Sequence, residues 1–369
     1  MSARSLLVIK ADTLGDLVLF TPAIRALRAN LPGARIGVVV REAYLDLGAL
    51  IEPGVEWIGT SIDPFSEGPE AHRDELARVR EAAAGIRAEL VIAASSRRNW
   101  LETVLAADAP DARRFAFASA DDAFFATQVR VALGVDATGL FEEAAPAPAD
   151  EPDWRRNLRL VSAALGRATE AAPPALAPGE SGQTQLLARF GLERGRYAVC
   201  APAGFANVRL KTWPAERFAS VIAELRQRHG LPTLLVGSEA ERAHLASIPG
   251  AAAIWTGGRG DLALLAGLLS HAAVYVGNDT GAMHLAAATG APVVGVFGGG
   301  TWPRFIPAAR RGAAVVHPLP CFGCGWDCAL GCAHCLDRIA VEDVAAALVR
   351  ARDGAEFETR VVDRMDAGT

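Results

Sequence analysis

The chain has 369 residues, more than one ordinary core supports, so two domains of somewhat under about 200 residues each are expected. A formal net charge of −5 gives no electrostatic case for nucleic acid, and no apolar run reaches the roughly 18 residues that a bilayer-spanning helix needs. Basic residues are almost all Arg, a bias that genome base composition explains, and Lys10 and Lys211 are the only lysines.

The first apolar run, residues 6–9, passes straight into Lys10-Ala11-Asp12 with no small-residue cleavage site. It reads as a buried strand and not as a signal peptide. A cytoplasmic location is expected, with at most peripheral contact to the inner membrane. A strand over 5–10, a helix over about 17–30, a strand over 35–40, a helix over 73–85 and a strand over 90–94 then alternate. That alternation predicts an α/β domain with a parallel sheet. Composition loosens at 142–152 and again at 171–181, around a helical stretch at 154–166, so 142–181 reads as a linker region.

Alternation restarts with a strand at 197–201. A helix at 214–229, a strand at 233–236, a helix at 239–248 and a helix at 261–270 follow. A strand at 273–276, a helix at 281–289, a strand at 292–297 and a closing helix at 341–352 complete the pattern. The expected domains are 1–165 and 182–340, with 341–369 as a C-terminal helix and tail. In such sheets, ligands sit beyond the carboxyl ends of the strands.

Two segments carry the chemistry. Val276-Gly277-Asn278-Asp279-Thr280-Gly281-Ala282-Met283-His284 runs from a strand through a tight turn into a helix. The unpaired N–H groups of a helix start stabilise a diphosphate, Gly281 allows close approach, and His284 follows one turn later. An ordinary helix cap at Asp279 or Thr280 explains the same string. Lys10-Ala11-Asp12-Thr13-Leu14-Gly15-Asp16 likewise links a strand to a helix. Asp16 is a carboxylate that accepts a proton from an attacking hydroxyl, or else a helix cap with Asp12. Neither segment is G-x-G-x-x-G or G-x-x-x-x-G-K-[ST], which disfavours a hydride-transfer dinucleotide fold and a P-loop NTPase.

Taken together, these segments resemble glycosyltransferase family 9, the ADP-heptose:lipopolysaccharide heptosyltransferase family. The matching pieces are Leu7-Val8-Ile9-Lys10 through Gly15-Asp16 to Thr21-Pro22, then Val276 to His284, then Ala291-Pro292-Val293-Val294 and Gly298. Lys211-Thr212-Trp213-Pro214 is similar to the family's Lys-x-Trp-Pro segment. The resemblance implies a GT-B fold, two Rossmann-like doubly wound domains facing a central cleft, and transfer with inversion at the anomeric carbon. It implies Asp16 as the base. It implies Gly15, Lys211, Glu239, Asp279, Thr280, Gly281 and His284 as donor-binding residues, with Glu239 holding the nucleoside.

The donor so implied is a nucleotide sugar, ADP-heptose favoured, and the acceptor a glycan, glycolipid or protein hydroxyl. No metal is implied for catalysis, so Lys211 and the helix start offset the leaving diphosphate. Residues 201–210 form a longer turn than the family's, which makes Gly204 and Asn207 weaker donor-site candidates. Ser95, Arg97 and Arg98, after a first-domain strand, are candidate acceptor contacts, or else ordinary solvated residues. Another GT-B enzyme class, such as a nucleotide-sugar epimerase, and a non-catalytic metal-knuckle scaffold are the competing readings.

Five of the six cysteines fall between Cys321 and Cys335. Cys321-x-x-Cys324 and Cys332-x-x-Cys335 are two pairs seven residues apart, with Cys328 midway as an alternative ligand and His334 inside the second pair. Two such knuckles wrap one structural zinc or iron ion, though the gap is short for a zinc finger. Relatives in the resembling family often carry cysteines here, and a protein-heptosylating branch uses an iron finger. Free thiols are the other reading, and a cytoplasmic compartment disfavours disulfides.

Overall fold

The computed structural model describes residues 3–144, 147–180, 182–204, 208–258 and 260–362. The chain divides into two compact units, Met1–Pro174 and Ala175–Thr369, each with its own apolar core.

The first unit is built on six parallel strands: β1 (Ser5–Ile9), β2 (Arg35–Arg41), β3 (Glu56–Thr60), β4 (Leu90–Ala93), β5 (Arg113–Phe117) and β6 (Glu142–Ala144). Their order is β3-β2-β1-β4-β5-β6. Leu6, Leu7, Val8 and Ile9 of β1 are all buried, as are the four residues of β4. Near-continuous apolar runs are what strands buried on both faces require. The order reverses between β1 and β4, and the loops leaving those strands are residues 10–13 and 94–99. That is the switch point at which open α/β sheets take ligands.

The helix Leu14–Asn30 starts three residues earlier than expected because Thr13 and Asp16 cap it. The helix Asp153–Leu165 packs on it, and β6 pairs with β5, so the stretch read as a linker carries two elements of the first unit.

The second unit repeats the plan with one strand more. Its strands are β7 (Ala198–Ala201), β8 (Thr233–Ser238), β9 (Ala253–Gly257), β10 (Val274–Asn278), β11 (Val293–Phe297), β12 (Gly312–Val316) and β13 (Glu358–Val361). Their order is β13-β12-β11-β10-β7-β8-β9, every pairing parallel. The switch point lies between β7 and β10, whose outgoing loops carry Lys211 and Asp279.

The expected helix at 239–248 is a 3-10 turn, Glu239–Glu241, running into the short helix Arg242–Ala246. The helix Val341–Arg352 lies against β11 and β12, and β13 after it closes the sheet edge. Among the described residues no helix is long and apolar enough to cross a membrane.

Candidate active site

In the second unit, Asn278 ends β10 with no exposed surface. Its Oδ1 accepts the Trp213 N–H at 3.0 Å, and its Nδ2 donates to the carbonyls of Pro202 at 2.8 Å and Ala203 at 3.3 Å. One buried amide thereby stitches the loop after β7 to the end of β10. That loop carries Lys211 on the 3-10 turn Arg209–Lys211. Lys211 Nζ lies 3.7 Å from Asp279 Oδ2, and His284 Nε2 lies 3.8 Å from Asp279 Oδ1. The nearly buried Asp279 carboxylate thus sits between an ammonium and an imidazole.

Thr280 is the N-cap of the helix Gly281–Ala288. The first N–H groups of that helix have no partner within it and carry partial positive charge. With the Lys211 ammonium they make a setting suited to a diphosphate. Gly204 has φ +127°, and a Cβ there would come within 2.8 Å of Thr280 Cγ2, so the close approach of these loops needs glycine. Beneath the turn, burial pushes the Tyr275 phenol up and keeps it protonated.

Glu239 lies exposed just past β8. Arg242 binds its two oxygens at 2.6 and 2.8 Å, and the Thr256 hydroxyl donates to it at 2.5 Å. Those bonds, Arg242's first, hold its carboxyl down at about 2. Glu241, not singled out in the sequence, makes the longer-range link. Its Oε2 accepts the Ser238 N–H and hydroxyl, each at 2.8 Å, and its Oε1 accepts the Gly204 N–H at 2.8 Å. The string Ser238-x-x-Glu241 is a capping box, and that was the available signal. Asn207 lies outside the described residues.

In the first unit, Asp16 Oδ2 accepts the Thr13 hydroxyl at 2.5 Å and the Thr13 N–H at 3.3 Å, and Thr13 Oγ1 accepts the Asp16 N–H at 3.4 Å. The capping role is real, and it occupies one carboxylate oxygen while Oδ1 stays outside the box. Gly15 is buried in the same first turn. Lys10 is fully buried behind it, donating to Asp12 Oδ2 at 2.7 Å and to the Ala94 carbonyl at 3.0 Å.

Of the three acceptor candidates, two turn inward. The Ser95 N–H donates to Glu102 Oε1 at 2.7 Å, and Ser95 is buried. Arg98 is buried too, with Nε on Asp122 at 2.6 Å, Nη2 on the Phe117 carbonyl at 2.8 Å, and its guanidinium over the Phe141 ring. The expectation that Arg98 meets solvent is corrected by this network, which takes up its donors. Arg97, 77 % exposed and 4.0 Å from Asp121, keeps its charge in solvent.

All five clustered cysteines are free thiols lining one cavity, together with His334, Leu210 and Trp326. The Cys328 thiol donates to the Cys332 carbonyl at 3.1 Å, and Cys332 Sγ lies 3.2 Å from His334 Nε2. Burial pushes the Cys335 thiol up, a Gly299 N–H opposes this, and nearby Cys321 and Cys324 add to it. Five thiols along one cavity suit a thiolate-binding cation in kind. Among the described residues, no group of three or more His, Cys, Asp or Glu is arranged as a metal site. Cys200 is separate and fully buried in β7, where burial pushes its thiol up and leaves it inert.

Comparison with known proteins bears on this geometry. The family model for glycosyltransferase family 9 (heptosyltransferase) matches residues 129–326, a span that includes Lys211, Glu239 and Asp279 to His284 but not Asp16. A search of curated proteins found no match. Among solved structures, the glycosyl transferase family 9 protein of Veillonella parvula DSM 2008 is 20 % identical with a TM-score of 0.74, covering 96 % of this chain and 98 % of that one. The ADP-heptose lps heptosyltransferase II of E. coli is 18 % identical with a TM-score of 0.68, covering 94 % and 98 %. The dodecameric iron-containing heptosyltransferase TibC, solved with ADP-D-beta-D-heptose, is 15 % identical with a TM-score of 0.57, covering 96 % and 77 %. At such identities the likeness speaks for the fold, which is GT-B. The family match itself spans more than half of the sequence and takes in the Lys211–Asp279–His284 constellation, and the chain belongs to glycosyltransferase family 9 (heptosyltransferase).

Proposed function

We propose that this enzyme is an inverting glycosyltransferase that moves a sugar from a nucleotide sugar, ADP-heptose favoured, to an acceptor hydroxyl. The observation that carries the reading is Lys211 and His284 converging on Asp279 at a helix start on the second sheet's switch point. Lys211 and the N–H groups around Gly281 stabilise charge on the diphosphate as the bond to the anomeric carbon breaks. Asp279 holds Lys211 in place. Glu239 holds the nucleoside, for which its two present partners must share it.

Asp16 Oδ1 accepts the proton of the attacking hydroxyl. The cap engages Oδ2, which leaves Oδ1 as the oxygen for that proton. The acceptor is a glycan, a glycolipid or a protein hydroxyl, with Arg97 as the solvent-facing contact among the candidates.

Cys321, Cys324, Cys332 and Cys335, with Cys328 as the alternative, are the ligands proposed for a structural zinc or iron. Such an ion contributes folding energy and takes no part in transfer. Metal analysis of the purified protein tests this directly, and a metal-free protein with unchanged thermal stability would remove the site. The enzyme is proposed to work in the cytoplasm, at most peripheral to the inner membrane.

The central test is Asp16→Asn. Transfer should fall by about two to four orders of magnitude, while calorimetric affinity for ADP stays near that of the parent. Asp279→Ala or His284→Ala should instead weaken ADP binding by about tenfold or more, the worth of losing a charged contact. Full activity in Asp16→Asn takes the base role from Asp16. Unchanged ADP affinity in the other two variants takes the donor site from this turn.

A further inference from the structure

The cysteine segment folds back on the glycine turn that follows β11. The Gly323 N–H donates to the Gly299 carbonyl at 2.7 Å, and the Gly325 N–H to the Gly300 carbonyl at 2.9 Å. The glycines are there because aromatic rings lie on them. A Cβ on Gly300 would come within 2.2 Å of the Trp326 ring, one on Gly298 within 2.8 Å of it, and one on Gly299 within 2.2 Å of Phe322.

Trp326 is held in an unfavourable way. Its φ is +71°, the left-handed region that a bulky residue avoids, and its indole N–H is buried without a hydrogen-bond partner among the described residues. Strain of this kind persists where surroundings over-determine it, and it points to a task for the residue. The task is visible at the ring itself. Lys211 Nζ stands 5.2 Å from the Trp326 ring centroid, and Leu210, the residue before it, lines the cysteine cavity.

We propose that Trp326 is a positioning residue for Lys211, so that the cysteine segment supports the lysine of the donor site. The proposal rests on Lys211 being the donor-phosphate contact. A lysine side chain is long and flexible, and holding it for one task is entropically unfavourable. Here the Asp279 carboxylate and the indole ring both attract the ammonium. The lysine is then ordered before the diphosphate arrives, and the ordering cost is not charged against binding. The metal or redox state of the cysteines is not needed for this role.

The test compares Trp326→Leu, Trp326→Phe, Lys211→Met and the double variant Trp326→Leu with Lys211→Met. ADP affinity is measured by calorimetry, and KM for the nucleotide sugar separately from kcat. Trp326→Leu should raise the ADP Kd and the donor KM about two- to fivefold, the worth of one cation–π contact, with kcat falling by no more than about the same factor, since Lys211 also faces the leaving diphosphate. Trp326→Phe should recover most of that loss, because it keeps an aromatic face. On the Lys211→Met background, Trp326→Leu should add nothing.

A folded Trp326→Leu with parental affinity overturns the proposal, and so does an equal loss with and without Lys211. Should Trp326→Leu fail to fold, Gly300→Ala displaces the ring without removing it and should give the same Lys211-dependent loss; a loss independent of Lys211 overturns the proposal there too. A Lys211→Met protein with parental ADP affinity sinks the donor-site reading itself. A weakened Lys211→Met beside an unaffected Trp326→Leu sinks only the role of Trp326.

Discussion

Lys10 has its ammonium 2.7 Å from Asp12 and 5.6 Å from the Phe20 ring centroid, with no exposed surface. Burial alone would drive its proton off, but the carboxylates of Asp12, Asp16 and Asp153 outweigh burial and hold its pKa above the ordinary lysine value. Asp12 shares the burial, which pushes its carboxyl up to about 8 against the opposing Lys10 charge, with Asp16 adding to the rise. Folding therefore raises Asp12 above its unfolded value of about 4, so its stabilising contribution is full below about pH 4 and is lost as pH climbs through about 8. The melting temperature of the parent should fall further between about pH 5 and pH 9 than that of Asp12→Asn. Parallel curves would exclude Asp12 as the titrating group. Arg98 makes the complementary case. Its guanidinium compensates the fully buried Glu102 at 3.5 Å, whose carboxyl burial pushes up. Arg98→Met strands that carboxyl and should destabilise the first unit by about 3–5 kcal/mol in urea unfolding, whereas Arg97→Met should change stability by less than about 0.5 kcal/mol.

Both sheets put the reversal of strand order beside their first strand, and both candidate loops leave the sheets there. The loops themselves were legible in the sequence, because residues 6–9 and 273–276 are apolar and pass through polar, glycine-containing turns into helical stretches, but the strand order was not. The strands β3, β5, β6, β9, β12 and β13 were not legible. Glu56 to Thr60 and Glu358 to Val361 are partly exposed edge strands without a clean alternation, and Gly312 to Val316 is too short and alanine-rich to separate from a helix by periodicity. The site shows the same division. Asp279 and His284 stood out as a string, but Asn278 read only as its polar neighbour. Its weight comes from three hydrogen bonds to residues 65 to 76 positions away, which no local pattern encodes. Asn278→Ala strands those buried groups and frees the loop bearing Lys211. It should cost about 1–3 kcal/mol of stability and also weaken ADP binding. Destabilisation with parental ADP affinity would show that the clamp serves the fold and not the lysine.

Each unit has its own sheet and its own buried apolar cluster, so each can gain stability from a ligand without the other. Of the proposed donor-side residues, Lys211, Glu239, Asp279, Thr280, Gly281 and His284 belong to the second unit, while the buried Gly15 belongs to the first together with Asp16, the proposed base. ADP carries the nucleoside and the diphosphate but neither sugar nor acceptor, so it should engage the second unit's residues. At a hundredfold excess over its Kd it should stabilise the unit that binds it by about 2.7 kcal/mol. Amide hydrogen exchange resolves where that stabilisation falls. Exchange should slow across residues 208–213 and 278–285, where Asn278 joins the two loops, and stay unchanged across residues 10–16. Asp16→Asn should give the same protection pattern, because removing the proposed base leaves the proposed donor contacts in place. Protection centred on residues 10–16 instead would move the nucleotide site to the first sheet's switch point and leave Asp279 as an ordinary helix-start residue.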